Sequence, residues 1–222
     1  MQEFIKATMI GLFFGTFGTT IGGIIGVVTK KHSKKFLSFV LAFASGLMMA
    51  IICFDLIPEA LEISNLISAI FGILLGIIMM IFCDKLVEKK FTIEEVNTSK
   101  HNTLLKTGII VSIGLAIHNF PEGLAIGSGF GASIKLGLSL AVAICLHDIP
   151  EGISMAIPMK NGGMKKSQVI FLVFLSGITT GIGAFVGAII GGISEEVIAI
   201  CLSFAAGAML YIISRRVNSR SK

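Results

Sequence analysis

Charge is scarce in this chain of 222 residues: only 14% are Asp, Glu, Lys or Arg, against about 25% in a soluble domain. With a mean hydropathy of +0.93, that shortage excludes an ordinary water-soluble globule. Paired cysteine is missing too. Cys53, Cys83, Cys145 and Cys201 stand singly in or at the ends of apolar stretches and make no CxxC. That spacing argues against a disulfide framework or a thiolate zinc site and leaves them as small buried residues. No GxxxxGK[ST] phosphate loop occurs, which argues against direct coupling to ATP. No A-x-A site follows a short apolar region at the N-terminus, so the first apolar run reads as a span rather than a cleaved signal. The net charge of +5 does not point to nucleic acid, because the basic residues sit in short segments beside apolar runs.

What the chain does have is long hydrophobic runs. A transmembrane helix needs about 20 mostly apolar residues, and seven runs qualify: 5–28, 36–57, 64–83, 104–128, 133–157, 167–191 and 195–214. The expected fold is an all-α membrane protein, a polytopic helix bundle forming one transmembrane domain over 1–222 in the lipid bilayer of the cell membrane. A cytoplasmic loop is expected at about 84–103. Seven spans put the intervening loops on two sides. Sixteen of the 18 basic residues fall on one side, in 30–35, 85–106, 160–166 and the tail from Arg215; the other side has Lys6 and Lys135. The positive-inside rule then places the lysine-rich loops and the C-terminal tail in the cytoplasm and the N-terminus outside. Asp55, Glu59 and Glu62, in an expected acidic turn, and Glu195 and Glu196 fall on the outer side. They form either a mouth that concentrates cations or ordinary solvated helix ends.

Two repeats are visible. LAFASGLMMAII (41–52) matches LSFAAGAMLYII (202–213) at seven of twelve positions. The spans that carry them run in opposite directions, as in the inverted repeats of transporters. Glycines recur every four residues at Gly11–Gly15, Gly18–Gly22–Gly26, Gly123–Gly127–Gly131 and Gly183–Gly187–Gly191. Such faces let membrane helices approach closely, and they also permit a homodimer.

The second repeat carries the chemistry. HNFPEG (118–123) and HDIPEG (147–152) each interrupt an apolar run. An Asp or Lys at the centre of a membrane helix costs roughly 2.5–3.5 kcal/mol. Here Glu122, Asp148 and Glu151 stand beside His118, Asn119 and His147 with no Lys or Arg at that depth. Protons, water or a bound cation must compensate. His118 and Glu122 are four residues apart, as are His147 and Glu151, so each pair shares a helix face. Two such faces make a mixed nitrogen and oxygen site, which suits zinc and other first-row divalent ions better than calcium or magnesium. Pro121 and Pro150 remove a backbone donor within a turn of these groups, so each helix is expected to kink or loosen there and line a polar cavity.

HNFPEG and HDIPEG closely resemble the HNxPEG and HxxPEG signatures of the ZIP family, the Zrt- and Irt-like divalent metal transporters. SGLMMAIICFDLIPEA in the second span and LSGITTGIGA in the sixth resemble the corresponding family segments, so the resemblance covers nearly the whole chain. It implies an eight-span fold in a 3+2+3 arrangement with inverted outer triplets, of which this chain is expected to lack the last span. It also implies a first metal site at His118, Glu122, His147 and Glu151, with Met48 as a thioether ligand, and a second at Asn119, Glu122, Asp148 and Glu151. Where family members often carry a glutamate in the sixth span, this chain has Thr179, Thr180 and Gly181.

The implied function is transport of divalent metal, zinc foremost and perhaps iron, manganese or cadmium, into the cytoplasm. The metal is then cargo, and no cofactor is expected. The alternatives are a non-transporting sensor or truncated inactive transporter, and an intramembrane metalloenzyme. The last lacks HExxH and a spare general base, so the chain is not expected to be an enzyme.

Overall fold

The computed structural model describes residues 2–29, 34–92 and 100–218. They form helices and no strand. The rods are α1 (Gln2–Val28), α2 (Lys34–Ile51, continued by a π turn Ile52–Leu56 and by Ile57–Ile63), α3 (Leu66–Thr92), α4 (Lys100–Ala132), α5 (Ile134–Asn161), α6 (Lys166–Gly191) and α7 (Glu195–Asn218). Among the described residues, six stretches are long and apolar enough to cross a membrane: Phe4–Val28, Lys35–Ile63, Leu66–Val87, Ile134–Asn161, Lys166–Gly191 and Glu195–Arg215. The remaining long helix, α4, carries HNFPEG.

Polarity runs inside out relative to a soluble protein. Phe13, Phe39, Phe54, Ile67, Ile78 and Phe171 are exposed, while His118, Asn119, Glu122, His147, Asp148, Glu151, Ser176 and Thr180 are buried. An apolar outer surface is what a bilayer solvates, and a polar interior is what a transport path requires. The bundle centres on α5, whose apolar window is 72% buried against 28% for those of α2 and α3. Around it, α1 packs on α5 and α6, α4 on α5 and α6, and α3 on α7.

The spaced glycines set these approaches. A Cβ at Gly123 would collide with the carbonyl of Thr180 across the α4–α6 contact, and one at Gly183 with the carbonyl of Phe120. Gly18 and Gly22 bring α1 equally close to the carbonyls of Cys145 and Ile149 on α5. The glycine faces that could have served a homodimer are thus engaged within the chain.

Three local expectations need correcting. The acidic segment is not a turn: Asp55 lies in the π turn, Glu59 and Glu62 lie in helix, and the chain reverses only at Ser64 and Asn65. Pro58 has no N–H and its ring crowds the carbonyl four residues back. The helix adapts by widening, with the Ile57 N–H bonded to the Ile52 carbonyl, and continues. The expected loop at 84–103 is helical to Thr92 and again from Lys100. All four cysteines are free, but only Cys145 and Cys201 are buried; Cys83 is half-buried and Cys53 is exposed, because the π turn points it off the bundle beside Phe54. Pro121 and Pro150 sit inside α4 and α5 without interrupting either helix.

Candidate metal site

The two PEG motifs meet across the α4–α5 contact. One ligand atom from each of His118, Glu122, His147 and Glu151 lies within 4.8 Å of the other three, and all four residues are buried. His118 Nε2 is 2.8 Å from Glu122 Oε1 on its own helix and 3.6 Å from Glu151 Oε1 on the other. His147 Nε2 is 2.7 Å from the same Glu122 Oε1. The imidazole centroids stand 6.4 Å apart.

This cluster is not closed on itself. His118 Nε2, despite its 2.8 Å approach to Glu122, makes no well-directed hydrogen bond, and Glu122 Oε2 has no hydrogen-bond partner. Both ring Nδ1 atoms are also without one. A buried polar atom left unpaired costs about 1–3 kcal/mol, and more for charged groups. Among the described residues, the buried polar ones include Glu122, Asp148 and Glu151 but no Lys or Arg. A cation held by imidazole nitrogens and carboxylate oxygens answers both deficits at once, and this donor set fits a zinc-like ion.

A second set of groups adjoins it. Asn119 Nδ2 donates to Ser176 O at 3.1 Å and approaches Ser176 Oγ at 3.3 Å, which fixes the amide and leaves Oδ1 unpaired. Asp148 is fully buried, with neither oxygen hydrogen-bonded, and lies 3.6 Å from His147 Nε2. Thr180, also fully buried, has an unpaired Oγ1. It abuts Gly15 while Asp148 abuts Gly18, so both lie against one turn of α1. Met48 is fully buried in an apolar cluster with Ile126 and Ile144, one turn along α4 and α5 from Glu122 and His147. The structure thus brings four of the seven expected residues together across α4 and α5, ties Asn119 to α6, sets Asp148 against α1, and puts Met48 in the apolar layer beside them.

Sequence reasoning did not anticipate the part played by α6. Ser176 holds Asn119, and the Thr179 hydroxyl donates to Ala116 O at 2.7 Å on α4. Hydroxyls in an otherwise apolar span were the available signal. A cavity of about 390 Å³ also leads away from His118. Its lining includes Leu37 near the start of α2, Asp84 near the end of α3, Gly114 and Leu115 just before His118, Ser154 just after Glu151, and Arg215 near the end of α7. Each lies between the His118 level and a lysine-rich end. In the other direction Met48, Ile52, Leu56, Ile126, Leu140, Ile144 and Leu202 form a closed apolar cluster.

A lipid-facing helical bundle with a buried imidazole and carboxylate cluster, open by a cavity to one side, defines a polytopic membrane protein of the metal-transporter class. Residues 90–217 match the family described as ZIP zinc transporter. The chain is 34% identical to the zinc transporter ZupT of Clostridium perfringens, over 96% of this chain and 85% of that protein. It is 35% identical to ZupT of Streptococcus mutans, over 94% and 83%, and 30% identical to ZupT of Corynebacterium glutamicum, over 90% and 82%. The chain belongs to the ZIP zinc transporter family, whose members are transporters and not enzymes.

Proposed function

We propose that this protein carries zinc across the cell membrane into the cytoplasm through His118, Glu122, His147 and Glu151. The observation that carries this reading is the convergence of those four buried ligand atoms within 4.8 Å, with no buried Lys or Arg among the described residues. Relatives at 34% and 35% identity bear the name zinc transporter. Asn119 and Asp148 form the wall of a weaker second position, and Met48 caps the first from the apolar side.

The chain crosses the bilayer seven times as one transporter domain. In this reading α4 spans despite its polar motif, because its His and Glu face α5 rather than lipid. The N-terminus is outside and the lysine-rich loops are cytoplasmic, following the distribution of basic residues. The cavity from His118 then opens to the cytoplasm, and the apolar cluster closes the outer path, an arrangement poised to release metal inward. The 41–52 and 202–213 repeats agree with an inverted pairing: Met48 and the aligned Met209 are both fully buried in one cluster. Iron, manganese and cadmium are candidate further cargo, since borderline ligands discriminate weakly among first-row metals. Zinc uptake by proteoliposomes of the purified protein tests the reading, and wild-type vesicles no more permeable to zinc than empty ones would refute it.

A further inference from the structure

Two hydrogen bonds between α4 and α6 bracket His118 in sequence. The Thr179 hydroxyl lies 2.7 Å from Ala116 O, two residues before the histidine. Asn119 Nδ2, one residue after it, donates to Ser176 O at 3.1 Å. The same Thr179 hydroxyl is 2.6 Å from Ser176 O on its own helix, so both bonds meet at one carbonyl. A helical threonine commonly bonds back to its own preceding turn. Here the hydroxyl is also shared with a second helix, 63 residues away in sequence. The seam leaves room for nothing longer, because a Cβ at Gly123 or Gly183 would strike the backbone of the facing helix.

The bonds fall behind the metal cluster. His118 stands about 160° around the helix from Ala116 and reaches toward Glu151 on α5. Helix α6 therefore grips the back of the turn whose front presents the imidazole. That turn is also short of a helix bond. Pro121 has no N–H to offer the Ile117 carbonyl, and Ile117 lies between the two gripped residues. The stiffness that the proline removes from α4 is supplied by its neighbour.

We propose that Thr179, acting with the Ser176 carbonyl, is a positioning residue for the metal: it clamps the proline-loosened turn of α4 so that His118 stays in reach of Glu122 and Glu151. The inference rests on the transport reading above. It is tested by zinc and manganese uptake into proteoliposomes of wild type, Thr179→Val, Thr179→Ser, His118→Ala and the Thr179→Val/His118→Ala double variant, with zinc binding by each measured in detergent. Thr179→Val keeps the side-chain shape and loses the hydroxyl. It raises the zinc KM by about three- to tenfold, the scale of one hydrogen bond, while the maximal rate holds. The manganese KM changes by less than about twofold, because the harder ion depends less on imidazole. Thr179→Ser restores the zinc KM. Added to His118→Ala, Thr179→Val weakens zinc binding no further, since no imidazole is left to position. Equal losses for the two metals, additive losses in the double variant or no rescue by serine would reduce the bond to helix packing and overturn the proposal, as would an unchanged zinc KM in Thr179→Val. Should Thr179→Val fail to fold, Thr179→Ala takes its place under the same outcomes. Wild-type vesicles that take up no zinc would instead overturn the transport reading, and the binding constants in detergent would still decide the clamp.

Discussion

His147 Nε2 lies 2.7 Å from Glu122 Oε1, so the histidine of the second PEG motif reaches the glutamate of the first. His118 Nε2 approaches that same oxygen from its own helix at 2.8 Å. Glu122 is therefore the point at which the two motifs join. Each motif supplies an imidazole and a carboxylate, and neither alone assembles the set. Removing one member leaves the rest buried with less compensation, which costs more than losing one ligand contact.

Glu122→Ala is accordingly expected to reduce zinc uptake to near the level of empty vesicles, with Glu151→Ala close behind. His118→Ala should weaken zinc more than manganese, because imidazole matters more to the softer ion. Competition uptake with both metals measures this. Normal zinc transport by Glu122→Ala would show that the metal passes elsewhere.

The two sides of the cluster differ in access, and thiol labelling reads that difference. Gly114 lines the cavity and an added Cβ there meets nothing within 4 Å, whereas Ile126 lies in the closed apolar cluster. In a chain with its four cysteines replaced, Gly114→Cys is expected to react with a charged thiol reagent from the lysine-rich side. Ile126→Cys should resist the reagent from both sides. Equal labelling of the two would mean that the apolar cluster does not close the outer path.

Helix approach is testable through the glycines. A side chain at Gly183 meets the backbone of Phe120, Leu124 and Gly123, which cannot step aside. Gly183→Val should lower stability by about 1–3 kcal/mol, the range for overpacking, seen as a lower melting temperature in detergent. Gly46→Ala, with nothing within 4 Å of the added carbon, is the matched control and should be neutral or slightly stabilising.

The bundle and its cluster were readable from sequence for a physical reason. Polar groups are costly in lipid, so His118, Glu122, His147 and Glu151 stood out against their apolar surroundings, and the four-residue spacing put each pair on one face. The glycine periods were readable because close helix contact requires a missing side chain. What could not be read was the register between helices. Asp84 and Arg215 are 131 residues apart, and no local pattern brings α3 to α7. Ser176 and Thr180 likewise look like tolerated hydroxyls until α6 is seen against α4. The acidic segment misled because Glu59 and Glu62 resemble a polar turn, while the π turn before Pro58 lets the helix carry them onward.

The number of metals held follows from charge. The doubled motif invites a pair of ions bridged by Glu122 and Glu151. Two dications about 3.5–4 Å apart repel strongly and persist only with enough carboxylate around them. Among the described residues the buried acids are Glu122, Asp148 and Glu151, a total of −3 against +4. Thr180, fully buried with an unpaired hydroxyl, adds no charge to this sum. A neutral oxygen can ligate but cannot offset the repulsion. One well-held zinc is therefore expected at His118, Glu122, His147 and Glu151, with a weak position beside Asn119 and Asp148. Asp148→Ala should cost less uptake than Glu151→Ala, and Thr180→Glu should raise occupancy of the second position. Metal analysis of the purified protein at modest zinc excess decides the matter, since two tightly held ions per wild-type chain would contradict the charge argument.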